Sequence, residues 1–111
     1  QSLIHISKNK ATEVKGEFFS IGDYEVTDKR FENHRFSYEK EDMIYLFSDG
    51  YLDQFGGGEN RKFMKKRFVD LLLEISHLEG TFQKAALEKN LSAWKGEKNQ
   101  TDDVMVIGIR L

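Results

Sequence analysis

The sequence contains neither cysteine nor proline. The lack of cysteine excludes disulfide bonds, thiolate metal sites and cysteine nucleophiles. The lack of proline means that glycine and Asx residues must punctuate the chain. Neither sign of charge is in strong excess, because 17 lysines and arginines face 19 aspartates and glutamates, which leaves a net charge of −2. A general electrostatic attraction to nucleic acid or to an anionic membrane is therefore not expected.

Long apolar runs are also missing. The longest one is Met43–Phe47, far shorter than the ~20 residues of a membrane-spanning helix, and the start of the chain does not have the layout of a signal peptide. The 111 residues, 39% of them apolar, suffice for one small globular domain. Because the first residue is Gln1 and not methionine, we interpret the sequence as a piece of a longer polypeptide.

Four segments have the residue pattern of strands. Leu3–Ser7 and Thr12–Lys15 are short and form a pair around a turn. Met43–Phe47 and Val104–Ile109 are apolar on both faces, which is typical of strands covered on both sides. A turn and a half of buried helix is the alternative for Met43–Phe47, but its tyrosine, phenylalanine and isoleucine content favours a strand.

Between these two apolar strands the spacing of the apolar residues becomes that of two helices. The first is predicted to begin at Asn60 as N-cap, and the second at Thr81, ending at Gly96. The positions expected on their buried sides are Met64, Phe68, Leu71, Leu72 and Ile75 in the first helix, and Phe82, Ala86, Leu87, Leu91 and Trp94 in the second. Strands followed by two helices and a last strand predict an α+β fold with an antiparallel sheet.

Acidic residues flank both apolar strands. Asp49 follows the first, and Asp102 and Asp103 precede the last. If the two strands are antiparallel neighbours, these carboxylates share one edge of the sheet, roughly 5–10 Å apart given a strand spacing of ~4.8 Å. Clustered carboxylates resist ionising together unless a cation lies between them, and oxygen ligands suit magnesium, manganese or calcium. The alternative is that each aspartate merely binds nearby backbone at a strand end.

Two neighbours of Asp49 bear on this site. Gly50 allows a sharp turn and leaves room beside the carboxylate. Asp53 is either a supporting carboxylate behind the metal ligands or simply a polar residue of the loop.

Other candidates are weaker. The three histidines His5, His34 and His77 have no metal-ligand spacing and are expected on the surface or on a strand face. Gly56–Gly58 lacks the lysine of a phosphate-binding loop and is interpreted as flexible. The basic run Arg61–Arg67 is interpreted as the solvated side of the first helix, with a partner-binding or nucleic-acid face as the alternative.

Two segments together resemble one family. Met43–Gly58 contains Ser-Asp-Gly at a strand end. After the two helices and Trp94–Gly96, Gln100–Gly108 contains Asp-Asp-Val at the start of the last strand. In this order the motifs resemble the C-terminal half of the SpoIIE-type (stage II sporulation protein E) serine phosphatase domain, a member of the metal-dependent, type 2C-like phosphatases (the PPM family). The resemblance covers essentially residues 1–111.

The resemblance implies an α-β-β-α sandwich with two antiparallel sheets and a two-metal Mn²⁺ or Mg²⁺ centre. It implies that Asp49 and Asp102 are metal ligands and that Asp103 takes the neighbouring position. It further implies a phosphoserine or phosphothreonine substrate on a bacterial regulatory protein of the anti-sigma-factor antagonist type. An upstream sensor domain, a cytoplasmic location and a parent tethered to a membrane through that sensor are expected on the same ground.

The sequence departs from the family pattern in its metal-ligand motifs. Two upstream motifs that supply the remaining metal ligands are absent, and Gly22–Tyr24 matches the first of them only superficially. The isolated chain is therefore expected to be inactive, with an incomplete metal site, and to associate through open sheet edges. The alternative function is a non-catalytic, phosphatase-like binding module. Nucleic-acid binding is not expected.

Overall fold

The computed structural model describes residues 2–16 and 30–111. In chain order the elements are β1 Ser2–Ser7, β2 Lys10–Lys15, β3 Met43–Phe47, β4 Phe55–Gly56, β5 Arg61–Lys62, α1 Met64–Ile75, α2 Gly80–Lys95 and β6 Val106–Arg110. Neither helix of the described residues has the length and hydropathy that crossing a membrane requires.

One antiparallel sheet organises the molecule. Its strand order is β2-β1-β3-β6, and a separate two-stranded pair joins β4 to β5. Strand β3 lies between β1 and β6, with Tyr45 opposite Ile4 on one side and Gly108 on the other. The predicted α+β fold, with two helices before the last strand, is confirmed, and so is the antiparallel pairing of the two apolar strands.

The core lies between one face of this sheet and the helices. Met43, Tyr45 and Phe47 point to that face because side chains alternate along a strand. Helix α1 covers them with four of the five residues predicted on its buried side: Phe68, Leu71, Leu72 and Ile75. The prediction is wrong for Met64, which is 55% exposed because it is the first residue of the helix. Phe47 and Phe68 pack ring against ring, with centroids 4.9 Å apart.

The opposite face of the sheet is apolar but largely open in the described part of the chain. Leu46 in β3 is 39% exposed, and Ile107 and Ile109 in β6 are 43% and 45% exposed. The expectation that both apolar strands are covered on both sides is therefore wrong for the described residues, because no described helix lies over this outer face. The residues of the outer face are Leu3, Val14, Ile44, Leu46, Ile107 and Ile109.

A short segment before β3 covers one part of the outer face. The Phe36 ring packs on the His5 ring at 4.9 Å, and the His5 Nε2 lies 2.8 Å from Asp42 Oδ2. The Glu39 backbone N–H donates to the same carboxylate at 2.9 Å. This N–H first, and the His5 ring after it, hold the pKa of Asp42 below its ordinary value, against the opposing effect of burial. His5 is thus a buried, paired residue of a strand face.

Both helix starts differ from the prediction. Asn60 has φ +51° in the turn between β4 and β5, and α1 begins only at Met64, because Arg61 and Lys62 pair with Phe55 and Gly56. Helix α2 begins at Gly80, one residue before the predicted cap. Phe82 is 62% exposed, not buried, because the neighbouring Gln83 occupies the position that faces the sheet.

Candidate metal-binding edge of the sheet

Ser48 joins the end of β3 to the segment that leads into β6. Its backbone N–H donates to the Met105 carbonyl at 3.0 Å, and its Oγ accepts from the Met105 N–H at 3.0 Å. The same hydroxyl donates to the Asp103 carbonyl at 3.2 Å. Asp49 and Asp103 therefore lie on the same edge of the sheet, as the antiparallel arrangement predicts.

Gly50 allows the turn after Asp49 to approach the Asp103 backbone even more closely. A Cβ built on Gly50 would lie 2.0 Å from the Asp103 carbonyl oxygen and 2.7 Å from its carbon. No side chain fits there, since real Cβ atoms do not approach backbone so closely. The role expected of Gly50, to leave room at this turn, thus has a specific cause: the turn after Asp49 rests directly on the Asp103 backbone.

The three carboxylates of this edge are exposed. Asp102 Oδ1 accepts the Asp103 backbone N–H at 2.7 Å, and within residues 2–16 and 30–111 none of the three carboxylates forms an ion pair. Carboxylate oxygens are suitable ligands for a hard divalent cation. The described residues nevertheless provide too few ligands for a complete metal site, because no three of their histidine, aspartate or glutamate side chains come close enough together to hold a metal ion.

Asp53 lies behind this edge. Its backbone N–H donates to the Asp49 carbonyl at 2.9 Å, which closes the turn. Its carboxylate lies 3.4 Å from Lys62 Nζ in β5, with both side chains nearly half exposed. The Asp53 side chain therefore connects the turn to the β4–β5 pair.

Gln54 is a buried residue that sequence reasoning missed. Its Oε1 accepts the Thr101 backbone N–H at 3.1 Å, and its Nε2 donates to the carbonyls of Asn99 and Phe55, both at 3.0 Å. Its own carbonyl accepts the Trp94 indole N–H at 2.9 Å. Gln54 thereby fixes the chain just before Asp102 relative to the turn that carries Asp49.

The sequence gives little sign of this role. A glutamine between an aspartate and a glycine-rich stretch has the pattern of a surface loop. The stretch itself is not the flexible loop expected, since Gly56 belongs to β4 and the Gly57 N–H donates to the Trp94 carbonyl at 2.9 Å. A Cβ on Gly56 would lie 1.8 Å from that same carbonyl oxygen, so the glycine is there for close packing against α2.

The cations of the basic run Arg61–Arg67 are engaged within the chain. Arg61 pairs with Glu59, and the Arg67 guanidinium lies 4.7 Å above the Trp94 ring. Each of the three lysines faces a carboxylate: Lys62 with Asp53, Lys65 with Glu13 at 2.7 Å, and Lys66 with Asp70 at 3.1 Å. This face therefore presents paired charges.

The remaining candidates do not add ligands to this edge. His34 is partly exposed, 3.8 Å from Glu32, and His77 lines a small polar cavity beside Asp42. Gly22–Tyr24, the superficial match to an upstream family motif, lies outside the described residues.

Comparison with known proteins agrees with the two-motif resemblance. The family model described as stage II sporulation protein E (SpoIIE) matches residues 3–111. The SiaA-PP2C domain of Pseudomonas aeruginosa superimposes with a TM-score of 0.85 and is 30% identical, over 99% of this chain and 42% of that one. No curated protein matches the sequence significantly. The chain thus spans less than half of the solved domain it resembles, and it belongs to the SpoIIE family of PPM-type, PP2C-like phosphatase domains.

Proposed function

We propose that this chain is the C-terminal part of a divalent-metal-dependent serine/threonine phosphatase domain and contributes one edge of its metal centre. The observation that carries the proposal is the direct contact between the Ser48–Gly50 turn and Asp103. That contact brings the segments of Asp49 and Asp102 to one sheet edge, where both carboxylates are exposed, and this supports the proposal. Membership of the family supports the same assignment.

Each residue of this edge then has a distinct task. Asp49 and Asp102 would hold Mn²⁺ or Mg²⁺, with Asp103 beside them. Such a cation, when bound, lowers the pKa of a coordinated water and offsets charge on a phosphoryl group. Ser48 and Gln54 position the two aspartate segments through the hydrogen bonds described above, and Gly50 allows their contact.

The proposed substrate class is supported by the family. We propose phosphoserine or phosphothreonine on a bacterial regulatory protein of the anti-sigma-factor antagonist type, with an upstream sensor domain in the parent polypeptide. The support is the SpoIIE match together with the similarity to the SiaA-PP2C domain. No phosphoprotein-binding residue is assigned, since the exposed residues around Asp49 carry no feature specific to one substrate.

The first test is cation binding by the 111-residue chain. Mn²⁺ titrated into ¹⁵N-labelled protein should broaden amide signals around residues 49–53 and 101–105, because a paramagnetic ion relaxes nearby spins. Asp49→Asn and Asp102→Asn should each weaken binding at least tenfold, since each removes a charged ligand from a small set. The matched control is Asp70→Asn, an exposed aspartate of α1 that pairs with Lys66. Broadening that persists in both site variants would contradict the proposal.

The second test is turnover. The isolated chain, with Mn²⁺ and a phosphoserine peptide, should release phosphate no faster than the peptide alone, because the described residues provide too few ligands. The full-length parent polypeptide should be active, and Asp49→Asn in it should reduce kcat at least a hundredfold. A parent that binds Mn²⁺ but lacks turnover would instead favour the non-catalytic binding module. That alternative rests on the incomplete ligand set of the described residues.

A further inference from the structure

The connection between α2 and β6, residues 96–105, carries Asp102 and Asp103, and we term it the acidic connection. Val104 is half-buried, and every other residue of the connection is exposed. The connection leaves α2 at Gly96, whose φ of +56° ends the helix. A segment that buries so little apolar surface is held mainly by its hydrogen bonds, and such segments open more readily than a core.

Two residues hold the acidic connection to the body of the chain. Gln54 Oε1 accepts the Thr101 N–H at 3.1 Å, and Gln54 Nε2 donates to the Asn99 carbonyl at 3.0 Å. The Ser48 hydroxyl accepts the Met105 N–H at 3.0 Å. In the part of the chain that the structure describes, the other hydrogen bonds of the connection are made within it, by Ser48 or by the end of α2. Because the two attached amides are only four residues apart, the loss of one attachment weakens the other.

Gln54 is itself positioned by the two helices. It is fully buried, and its carbonyl accepts the N–H of Phe63, the residue before α1, at 3.0 Å. The same carbonyl accepts the Trp94 indole N–H of α2 at 2.9 Å. The Trp94 carbonyl in turn accepts the Gly57 N–H at 2.9 Å. The chain from Gln54 to Gly57 therefore lies directly on the last turn of α2, and a displacement of that turn displaces Gln54.

Trp94 connects this helix end to α1 as well. Its ring packs edge to face against the Phe63 ring, with centroids 5.4 Å apart, and lies 4.7 Å below the Arg67 guanidinium. Among the described residues, Trp94 forms no hydrogen bond with the acidic connection. Any effect of Trp94 on Thr101 therefore passes through Gln54.

We infer that the acidic connection opens and closes as one unit, and that Gln54 and Trp94 are positioning residues that keep it closed. In the closed form, which is the form in the structure, Asp102 lies at the same sheet edge as Asp49. In the open form the attachments to Gln54 and Ser48 are broken together. The inference rests on the proposed function only for its consequence, which is that a displacement of the last turn of α2 opens the metal-binding edge.

The test is amide hydrogen exchange of the ¹⁵N-labelled, 111-residue chain without metal. The amides of Thr101 and Met105 report on the two attachments, since each donates to one of the two side chains. Low concentrations of urea should leave their exchange rates unchanged, because a local opening exposes little surface. The amides of the β1–β3 ladder should exchange at least tenfold more slowly, and urea should accelerate them.

Gln54→Met tests whether the connection opens as a unit, because it removes the amide and keeps an unbranched side chain of similar length. The Met105 amide should exchange about fivefold faster, although its own acceptor on Ser48 is unchanged. The matched control is Gln83→Met, the same change at a second buried glutamine, which donates to backbone between α1 and α2. It should leave the Met105 exchange rate within about twofold.

Trp94→Phe tests the control by α2, because it removes the indole N–H and keeps an aromatic ring in its place. The Thr101 amide should exchange about threefold faster, since the Gln54 carbonyl loses one of its two donors. The matched control is Tyr51→Phe, which removes another aromatic donor to a backbone carbonyl, that of residue 87 in α2. It should leave the Thr101 exchange rate within about twofold.

Mg²⁺ tests the consequence for the proposed metal-binding edge. A cation that needs Asp49 and Asp102 together binds only the closed form. At ten times its dissociation constant, Mg²⁺ should therefore slow the exchange of the Thr101 and Met105 amides about tenfold. If Mg²⁺ does not bind at this edge, the proposed function fails, and the exchange rates measured without metal still decide whether the connection opens as inferred.

Four results would overturn the inference. They are urea acceleration of the Thr101 and Met105 amides equal to that of the ladder, a Met105 rate unaffected by Gln54→Met, a Thr101 rate unaffected by Trp94→Phe, and unchanged exchange of both amides when Mg²⁺ is bound at the edge. Far-UV circular dichroism establishes that each variant is folded. If Gln54→Met does not fold, Trp94→Phe decides the inference.

Discussion

At the residue scale, the contact between Gly50 and Asp103 has a direct energetic consequence. Gly50→Ala should lower the free energy of unfolding by roughly 1–3 kcal/mol, the usual range when an added methyl group forces backbone to move. The reason is the 2.0 Å separation between the new Cβ and the Asp103 carbonyl oxygen. Urea denaturation measures the loss.

Gly58→Ala is the control for this change. A Cβ on Gly58 has no atom within 4 Å, so its unfolding free energy should stay within about 0.5 kcal/mol of the unmodified chain. Equal effects of the two substitutions would show that the backbone freedom lost with glycine, and not the close approach to Asp103, determines the result.

At the scale of elements, the attachment of the 30–41 segment to the sheet should depend on pH. The lowered pKa of Asp42 means that its ionised form is stabilised in the folded chain, chiefly by the Glu39 N–H. The contribution of the ionised Asp42 to the free energy of unfolding is fully present above the ordinary carboxyl pKa of about 4. It disappears as the pH falls through the lowered pKa. Asp42→Asn removes it at every pH.

Urea midpoints of the unmodified chain and Asp42→Asn, measured between pH 7 and pH 2.5, test this. The difference between the two proteins should be largest near neutral pH and should shrink in acid. Asp70→Asn, an exposed residue with only an i,i+4 partner, should show a small difference throughout. A gap between Asp42→Asn and the unmodified chain that stays constant down to the lowest pH would contradict the assignment.

The sequence predicts elements whose periodicity is set by their own residues and misses those set by partners. Helix α1 has its buried stripe where the spacing of Phe68 and Leu72 places it. The start of α1 cannot be predicted because Arg61 and Lys62 pair with β4, and the two residues carry no local signal of that pairing. The pattern predicts Phe82 in the core because an aromatic residue is buried more often than glutamine. In the fold, the Gln83 amide is needed to satisfy the Tyr45 hydroxyl.

The candidate site shows the same contrast between features that local residues determine and features that distant partners determine. Asp49 and Asp102 could be predicted to share an edge, since antiparallel pairing of two apolar strands is sufficient to bring their ends together. The roles of Ser48 and Gln54 could not be predicted, because their partners are backbone groups of residues 99–105, more than 40 positions away. Side-chain to backbone contacts over such distances do not leave a pattern in a single sequence.

At the scale of the whole molecule, the outer sheet face should bind apolar probes while the chain is folded. Contiguous exposed apolar area of this kind is unusual for a monomer, and the sandwich that the family resemblance implies would bury it against a second sheet. The fluorescent dye ANS should therefore brighten with the native chain. Leu46→Thr combined with Ile107→Thr should reduce that signal, since both side chains are about 40% exposed on this face.

Leu87→Lys is the comparison for the dye experiment, because Leu87 is a half-buried residue of α2, on the other face of the sheet. It should leave most of the ANS signal intact. If the double threonine variant binds as much dye as the unmodified chain, the outer face is not the apolar surface that the dye reports.

The hydrogen bond from Ser48 to Asp103 spans 55 positions of sequence, and this separation affects the order of folding. Loop-closure entropy must be overcome before so distant a contact forms, so the acidic edge assembles only when β3 and the segment before β6 have been brought together. A cation that needs both aspartate segments then has no binding site in the unfolded chain. On the proposed metal assignment, the affinity for that cation would be converted into thermal stability by mass action, and the melting temperature of this chain would become a measure of metal occupancy.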